Sequence, residues 1–375
     1  MPLDPLSPTT ARRPARPCLD HLRRLTDGTG LLQHARYGVA DRRHGYCVDD
    51  NARALWLMAR LAPPGVSPTP EIADLAATYA SFVDHAWDRD ALGGRGRFEN
   101  FMAYDRRWLP DGGRIEDEDA QARGLLALAH AARSGLGEGI ADWAGSCLVE
   151  ALRPPALPLA TGSPRAWATA LVVCRTALGA TRDPGVSHRS LVAEAAGHAG
   201  EIAPILARRL LDRHRAAARP GWPWFEDALA YDNARLCEGA LAGAAHEPAL
   251  LGIGLETLAW LCGVQSAPAD HSRPYGNEGF GHPGRTSAVY DQQPIEAWAT
   301  VDAAQLALDL TGDARWHRER GRALAWFTGA NDAGVPLIDA SGGCADGIGP
   351  RGPNANRGAE STLAWLHASL HAPWG

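Results

Sequence analysis

The sequence predicts an all-α chain whose six helical hairpins close into an (α/α)6 toroid, because Ala and Leu recur at helical spacing and one transition repeats six times. At each repeat a polar, aromatic and Gly-rich loop ends in a carboxylate or amide and gives way to an apolar helix. The openings fall near Asp49, Glu118, Arg165, Tyr231, Gln292 and Ala359, 47 to 69 residues apart, which leaves room for one helical hairpin per interval.

The elements follow in order. The helix opening at Asp49 ends at Ala62-Pro63-Pro64-Gly65, and a more amphipathic partner runs from Glu71 to Trp87. The second and third openings, Glu118 and Arg165, flank the break at Arg153-Pro154-Pro155. The fourth, near Tyr231, is followed by a helix with one face marked by Leu250, Gly254, Leu255, Leu258 and Leu261. Pro294 suits the first turn of the fifth helix, Thr311-Gly312-Asp313 ends it, and its partner spans Asp313 to Thr328. The sixth opens at Ala359. Six inner helices with five outer followers leave one partner missing, which Cys18 to Leu25 is expected to supply. Residues 17–375 are then one toroid, preceded by a disordered extension over 1–16.

Composition excludes more than it asserts. A net charge of -6 and 21% charged residues describe an ordinary globular protein with no nucleic-acid partner. Every one of the 37 basic residues is an arginine. Without a lysine amine there is no pyridoxal Schiff base, lysine aldolase, protein kinase or P-loop. Motifs for zinc peptidases, serine hydrolases and dinucleotide binding are missing, so no cofactor and no metal are expected. The seven cysteines form no C-x-x-C pair and read as free thiols. Met1 to Pro17 lacks an apolar run and no stretch reaches membrane-spanning length, so the expectation is a cytoplasmic protein without a membrane partner.

Asp or Asn at a helix start is ordinarily an N-cap. The first opening carries a surplus: His44, Tyr46, Asp49, Asp50, Asn51 and Arg53 crowd titratable and hydrogen-bonding groups where one cap would do. Asp50 and Arg53, three apart, can meet on one helix face. Asp50-Asn51-Ala52-Arg53 recurs as Asp232-Asn233-Ala234-Arg235, after Tyr46 and Tyr231 respectively, which points to structural duplication. The second opening offers Tyr104 upstream and then Glu116-Asp117-Glu118-Asp119; the first two acids read as solvated, while Glu118 and Asp119, with Arg123 one turn on, are site candidates.

Trp222, Trp224 and Glu226 place aromatics beside acids ahead of Asp232, Asn233 and Arg235. Such a mixture suits pyranose rings, whose apolar faces stack while their hydroxyls need polar partners. Gln292, Gln293 and Glu296 at the fifth opening and Asn356 and Glu360 at the sixth complete a ring of hydrogen-bonding groups around a carbohydrate cleft.

Gly30 to Tyr37 with Asp41 to Leu55, including Gly45-Tyr46-Cys47-Val48-Asp49-Asp50-Asn51-Ala52-Arg53-Ala54-Leu55, resembles a pattern of a bacterial family of (α/α)6 proteins. Tyr104-Asp105-Arg106-Arg107-Trp108, Trp224-Phe225-Glu226-Asp227, Asp291-Gln292-Gln293-Pro294 and Gly358-Ala359-Glu360-Ser361-Thr362-Leu363-Ala364 carry the resemblance along nearly the whole chain. Members are found beside, or fused to, glycosyltransferases and mannoside-processing enzymes. The resemblance implies a six-hairpin glycosidase-like barrel and a possible glycosyltransferase partner. Ala120-Gln121-Ala122-Arg123 departs from the Ser-His-Gly-Arg of the relatives.

The expected function is an inverting glycoside hydrolase with two carboxylates, one donating a proton to the leaving oxygen and one activating water. Asp50 is the first choice, with Glu118, Asp232 and Glu360 as partners. The alternatives are an epimerase of the sugar 2-epimerase kind, which needs histidines facing the sugar, and a non-catalytic glycan-binding partner of a glycosyltransferase.

Overall fold

The structure, a computed structural model, describes residues 17–110, 115–186, 189–277, 279, 281–284 and 288–372, so the extension 1–16 lies outside the described residues. Six helices form the inner ring: α2 (Val48–Leu61), α4 (Ile115–Ala132), α6 (Pro164–Ala180), α8 (Ala234–Gly243), α10 (Pro294–Thr311) and α12 (Ala359–Ser369). Each packs on the next and α12 returns to α2, closing the circle. Outside them stand α3 (Pro70–Ala86), α5 (Glu138–Leu152), α7 (Ser190–Ala217), α9 (Ala249–Val264) and α11 (Ala314–Phe327), each packed on the inner helix before it. The sixth outer position is filled by α1 (Asp20–Leu25), which packs on α12. There Leu22 and Leu25 are fully buried, and His21 donates from its ring to the Arg357 carbonyl at 2.7 Å. The expected ring and its closure by the first helix are what the structure shows.

Local chemistry sets the boundaries. Thr69 and Ser163 accept hydrogen bonds from Ile72 and Ala166 backbone N–H groups, each with a proline next in the chain to start the helix. Pro294 opens α10, and Gly312 ends it in the left-handed region at φ 67°. One contiguous apolar core runs from Leu22 to Ala368 between the two layers. Among the described residues no helix is long and apolar enough to cross a membrane, and all seven cysteines are unpaired.

Scarce strand signals concealed one feature. β1 (Leu32–Arg36) and β2 (Val39–Cys47) pair antiparallel, and the end of β2 pairs with Phe101–Met102. Only the last three residues of β2 are buried, so its sequence lacks the long alternation that marks a half-buried strand. The hairpin leads directly into α2 and forms one rim of the ring.

The inner ring depends on small side chains. A Cβ on Gly239 would stand 2.3 Å from the Cβ and 2.4 Å from the Cα of Ala168, on neighbouring inner helices, whereas one on Gly252 would meet nothing within 4 Å. Gly239→Ala should therefore cost about 3 kcal/mol in urea unfolding, and Gly252→Ala should be neutral or stabilising by about 0.5 kcal/mol.

Candidate active site

All six inner helices begin at one mouth of the toroid, and the acids and arginines of their first turns converge there. Arg53, 2% exposed, is the hub. Its two terminal nitrogens reach Asp49 at 3.3 Å, Asp50 at 3.4 Å and Glu360 at 2.9 Å. Arg123 of α4 joins Asp49 at 2.7 Å to Asp232 at 3.1 Å, and Arg235 of α8 approaches Asp232 at 3.7 Å. Tyr231 donates its hydroxyl to Asp119, which also accepts from Ser163 Oγ at 2.7 Å. Arg165 binds the Tyr231 carbonyl at 2.6 Å and Glu226 at 2.7 Å.

The environments of the acids differ. Burial pushes the Asp50 carboxyl up to about 7, with Arg53 working against that shift and Asp49 and Glu360 adding to it. Asp50 also accepts from the Cys47 thiol at 3.2 Å, while its own backbone N–H donates to that sulfur, so Cys47 caps α2. Glu360 is raised by burial against the pull of Arg53, yet its side chain keeps 41% exposure, compared with 18% for Asp49. Asp232 moves the other way, because Arg235, Arg123 and Arg53 outweigh its burial. Glu296 rises to about 7 through burial and the nearby Asp232.

Several residues expected in the cleft hold the scaffold instead. Trp222 and Trp224 are 5% and 0% exposed and pack around Trp260, so they present no face for a sugar; the loop around them looks polar, but its indoles turn inward. Tyr46 is buried and donates to Asp27 at 2.7 Å. Asn51 and Asn233 spend their amides on the loops before their helices: Asn51 binds Leu31 and Cys47, and Asn233 binds Ala230 and Glu296. Gln292 is buried between Trp326 and Asp332, while Gln293 is half-buried at the start of α10. Arg235 is enclosed by Asp232, Glu238 and Asp302. Asp117, expected to be solvated, is 5% exposed and accepts from Asn100 at 3.1 Å. Gln121, at the departure from the relatives' motif, grips both the N–H and the carbonyl of Phe98.

The remaining candidates stand around the mouth. Glu118 accepts from the backbone of Gly162 and Ser163 at 2.7 and 2.6 Å, anchoring the loop before α6, and borders a cavity of about 230 Å³. Tyr104 is exposed and stacks over Tyr46 with Arg42 above its ring. His44 lies exposed on β2, its ring edge-on to His34 at 4.5 Å. Asn356 donates to His34 and Asp346 and accepts from Ala35, fastening the hairpin to the last loop. Arg165, Tyr231 and His34 were not chosen from sequence. The signal for Arg165 was available, since it opens an inner helix where other openings carry acids.

Solved structures share this architecture. A GH76 alpha-mannanase of Bacteroides thetaiotaomicron aligns over 94% of this chain and 92% of its own at 12% identity and a TM-score of 0.56. A cellobiose 2-epimerase of Bacillus thermoamylovorans aligns over 94% and 95% at 11% identity and a TM-score of 0.59. A sugar epimerase from a ruminal bacterium reaches a TM-score of 0.62 at 10% identity, over 93% and 94%. At these identities the likeness establishes the (α/α)6 fold. No family sequence model and no curated protein sequence matches the chain.

The buried position of Asp50 makes a prediction about stability. Its pKa is raised from the ordinary 3.8 to about 7 on folding, so between those values the folded state holds more protons than the unfolded one and stability falls as pH rises. Asp50→Asn should flatten urea-unfolding free energies between pH 5 and 7 by up to about 1.4 kcal/mol per pH unit. An unchanged slope would mean that Asp50 is not the titrating group.

Proposed function

We propose that this chain is a carbohydrate-active enzyme of the glycoside hydrolase kind, working at the mouth where the inner helices begin. The observation that carries this reading is the set of three carboxyls gathered on one buried guanidinium, with the Asp50 proton held near neutrality. Pairs of carboxyls in unequal environments are how hydrolases divide acid from base at neutral pH.

We read the roles from exposure. Glu360, the most accessible of the three and shifted toward its protonated form, is the group that meets the glycosidic oxygen as acid. Asp49, ion-paired to Arg53 and Arg123 through Oδ2 and still 18% exposed, is the base that takes a proton from water. Asp50 lies beneath them. Protonated, it leaves the Arg53 charge to its two neighbours, which makes it a positioning residue. The sequence alone makes Asp50 the first choice among the catalytic carboxylates without dividing acid from base; its 5% exposure supports a place beneath the reacting pair.

An isomerase of the 2-epimerase kind is the second reading, favoured by the His34 and His44 rings on the rim hairpin. Two assays separate the readings. Gluco- and manno-oligosaccharides should release reducing ends with wild type, and Glu360→Gln and Asp49→Asn should each slow turnover by about 10²–10⁴-fold. Deuterium entering C2 of a reducing sugar in heavy water, without new reducing ends, would instead establish the isomerase. Sugar binding with neither change would leave the glycan-binding partner of a glycosyltransferase.

The pH profile of turnover gives another check. Asp50→Asn should retain measurable kcat and shift the alkaline limb, because the proton it holds tunes Arg53. Loss of kcat as complete as in Glu360→Gln would instead make Asp50 one of the reacting carboxyls.

A further inference from the structure

A cavity of about 490 Å³ opens at the opposite mouth, where the inner helices end. That is within the usual size of a small-molecule site. On the axis between the two mouths, Arg53, Arg123, Asp232, Arg235, Trp56 and Trp298 close around a void of only about 10 Å³. The two mouths are therefore separate compartments.

The charges on its wall are unevenly satisfied. Its acids are ion-paired or hydrogen-bonded: Glu238 to Arg235, Asp302 to His371 at 3.1 Å and Arg60 at 3.9 Å, Asp309 to the Gln305 amide at 2.7 Å, although Asp302 Oδ2 is a buried acceptor without a hydrogen bond. Its arginines are less so: Arg60 is held by Asp302, His367 and His371, but the other three are not so enclosed. The side chains of Arg175, exposed on α6, and of Arg182, two turns further along the chain, have no ion-pair or hydrogen-bond partner among the described residues. Arg133 on α4 reaches Asp183 at 3.4 Å through one terminal nitrogen, but its Nε is a buried donor with no partner.

Arginines at helix C-termini also offset the helix dipole, which suffices for their presence at this end. It does not account for Arg175 and Arg182 opening together, without carboxylate partners, onto a cavity large enough to hold a ligand. Guanidinium groups without a carboxylate partner at such a cavity call for an acceptor-rich anion, and the planar forks of arginine match a phosphoryl group. The volume far exceeds that of phosphate alone, and His246 adds a polar ring to the lining.

We propose that this cavity is a binding site for a phosphorylated sugar, its phosphoryl group seated among Arg133, Arg175 and Arg182 and its ring toward Trp56 and Gln305. The site is distinct from the carboxylate cluster and does not depend on the chemistry assigned there.

Calorimetric titration of the whole chain at about 0.15 M salt tests the assignment, with a hexose 6-phosphate, the same hexose unphosphorylated, and inorganic phosphate as probes. The hexose 6-phosphate should bind with a Kd below about 1 mM, at least about tenfold tighter than either other probe. The double variant Arg175→Gln/Arg182→Gln should weaken it at least about tenfold with an unchanged unfolding midpoint, as both side chains are exposed; Arg182→Glu alone should act in the same direction. Glu360→Gln, at the other mouth, should leave the affinity unchanged. Absence of binding, equal affinity for inorganic phosphate, or affinity lost in Glu360→Gln and kept in the arginine variants would each overturn the assignment.

Discussion

Everything at the carboxylate mouth depends on one buried charge, the guanidinium of Arg53. A cation taken out of water in a protein interior costs several kcal/mol unless opposite charges and hydrogen bonds replace the solvent. Asp49 and Asp50 come from the same helix turn, but Glu360 comes from the start of α12, so satisfying Arg53 joins the two ends of the ring. The join is doubled, because the Arg53 carbonyl accepts from His367 at 3.0 Å near the other end of α12. The seam where the toroid closes and the place where its acids gather are thus the same piece of structure.

The repeated Asp-Asn-Ala-Arg word shows how one sequence can serve two electrostatic ends. Arg53 and Arg235 lie over the same indole, Trp298, at 5.9 and 5.6 Å. Both asparagines tie a loop to the helix that follows. Yet the first copy lies wholly within α2, whereas in the second only Ala234 and Arg235 belong to α8, and Asp232 precedes it at φ 48°. Asp232 thereby meets Arg123 as well as Arg235, and its carboxyl is driven down while that of Asp50 is driven up. The duplication is structural, and the chemistry lies in how the copies differ.

Ion pairs run without interruption from Glu360 and Arg53 through Asp49, Arg123, Asp232 and Arg235 to Asp302 and Arg60. They connect the carboxylate mouth to the wall of the arginine-lined cavity while filling the axis between them. A toroid of parallel inner helices produces this arrangement naturally: helix starts collect acids and helix ends collect cations, and the axis must neutralise whatever lies between.

The sequence by itself determined the ring. Six inner helices begin within three residues of the openings read from loop-to-helix transitions, and the closing role of the first helix followed from counting partners, because helical periodicity and capping are local properties. The gathering of Asp49, Asp50 and Arg53 was equally local. What tertiary structure alone decided was which side chains face water. Trp222 and Trp224 look like stacking platforms in a polar loop and are core; Asn51, Asn233 and Gln292 look like ligand-binding amides and hold backbone; Glu360 looks like one acid among several and proves accessible. Burial depends on packing between segments far apart in the chain, which no local pattern encodes. The arginine cavity was invisible for the same reason, being assembled from five inner helices and the turn beyond the sixth.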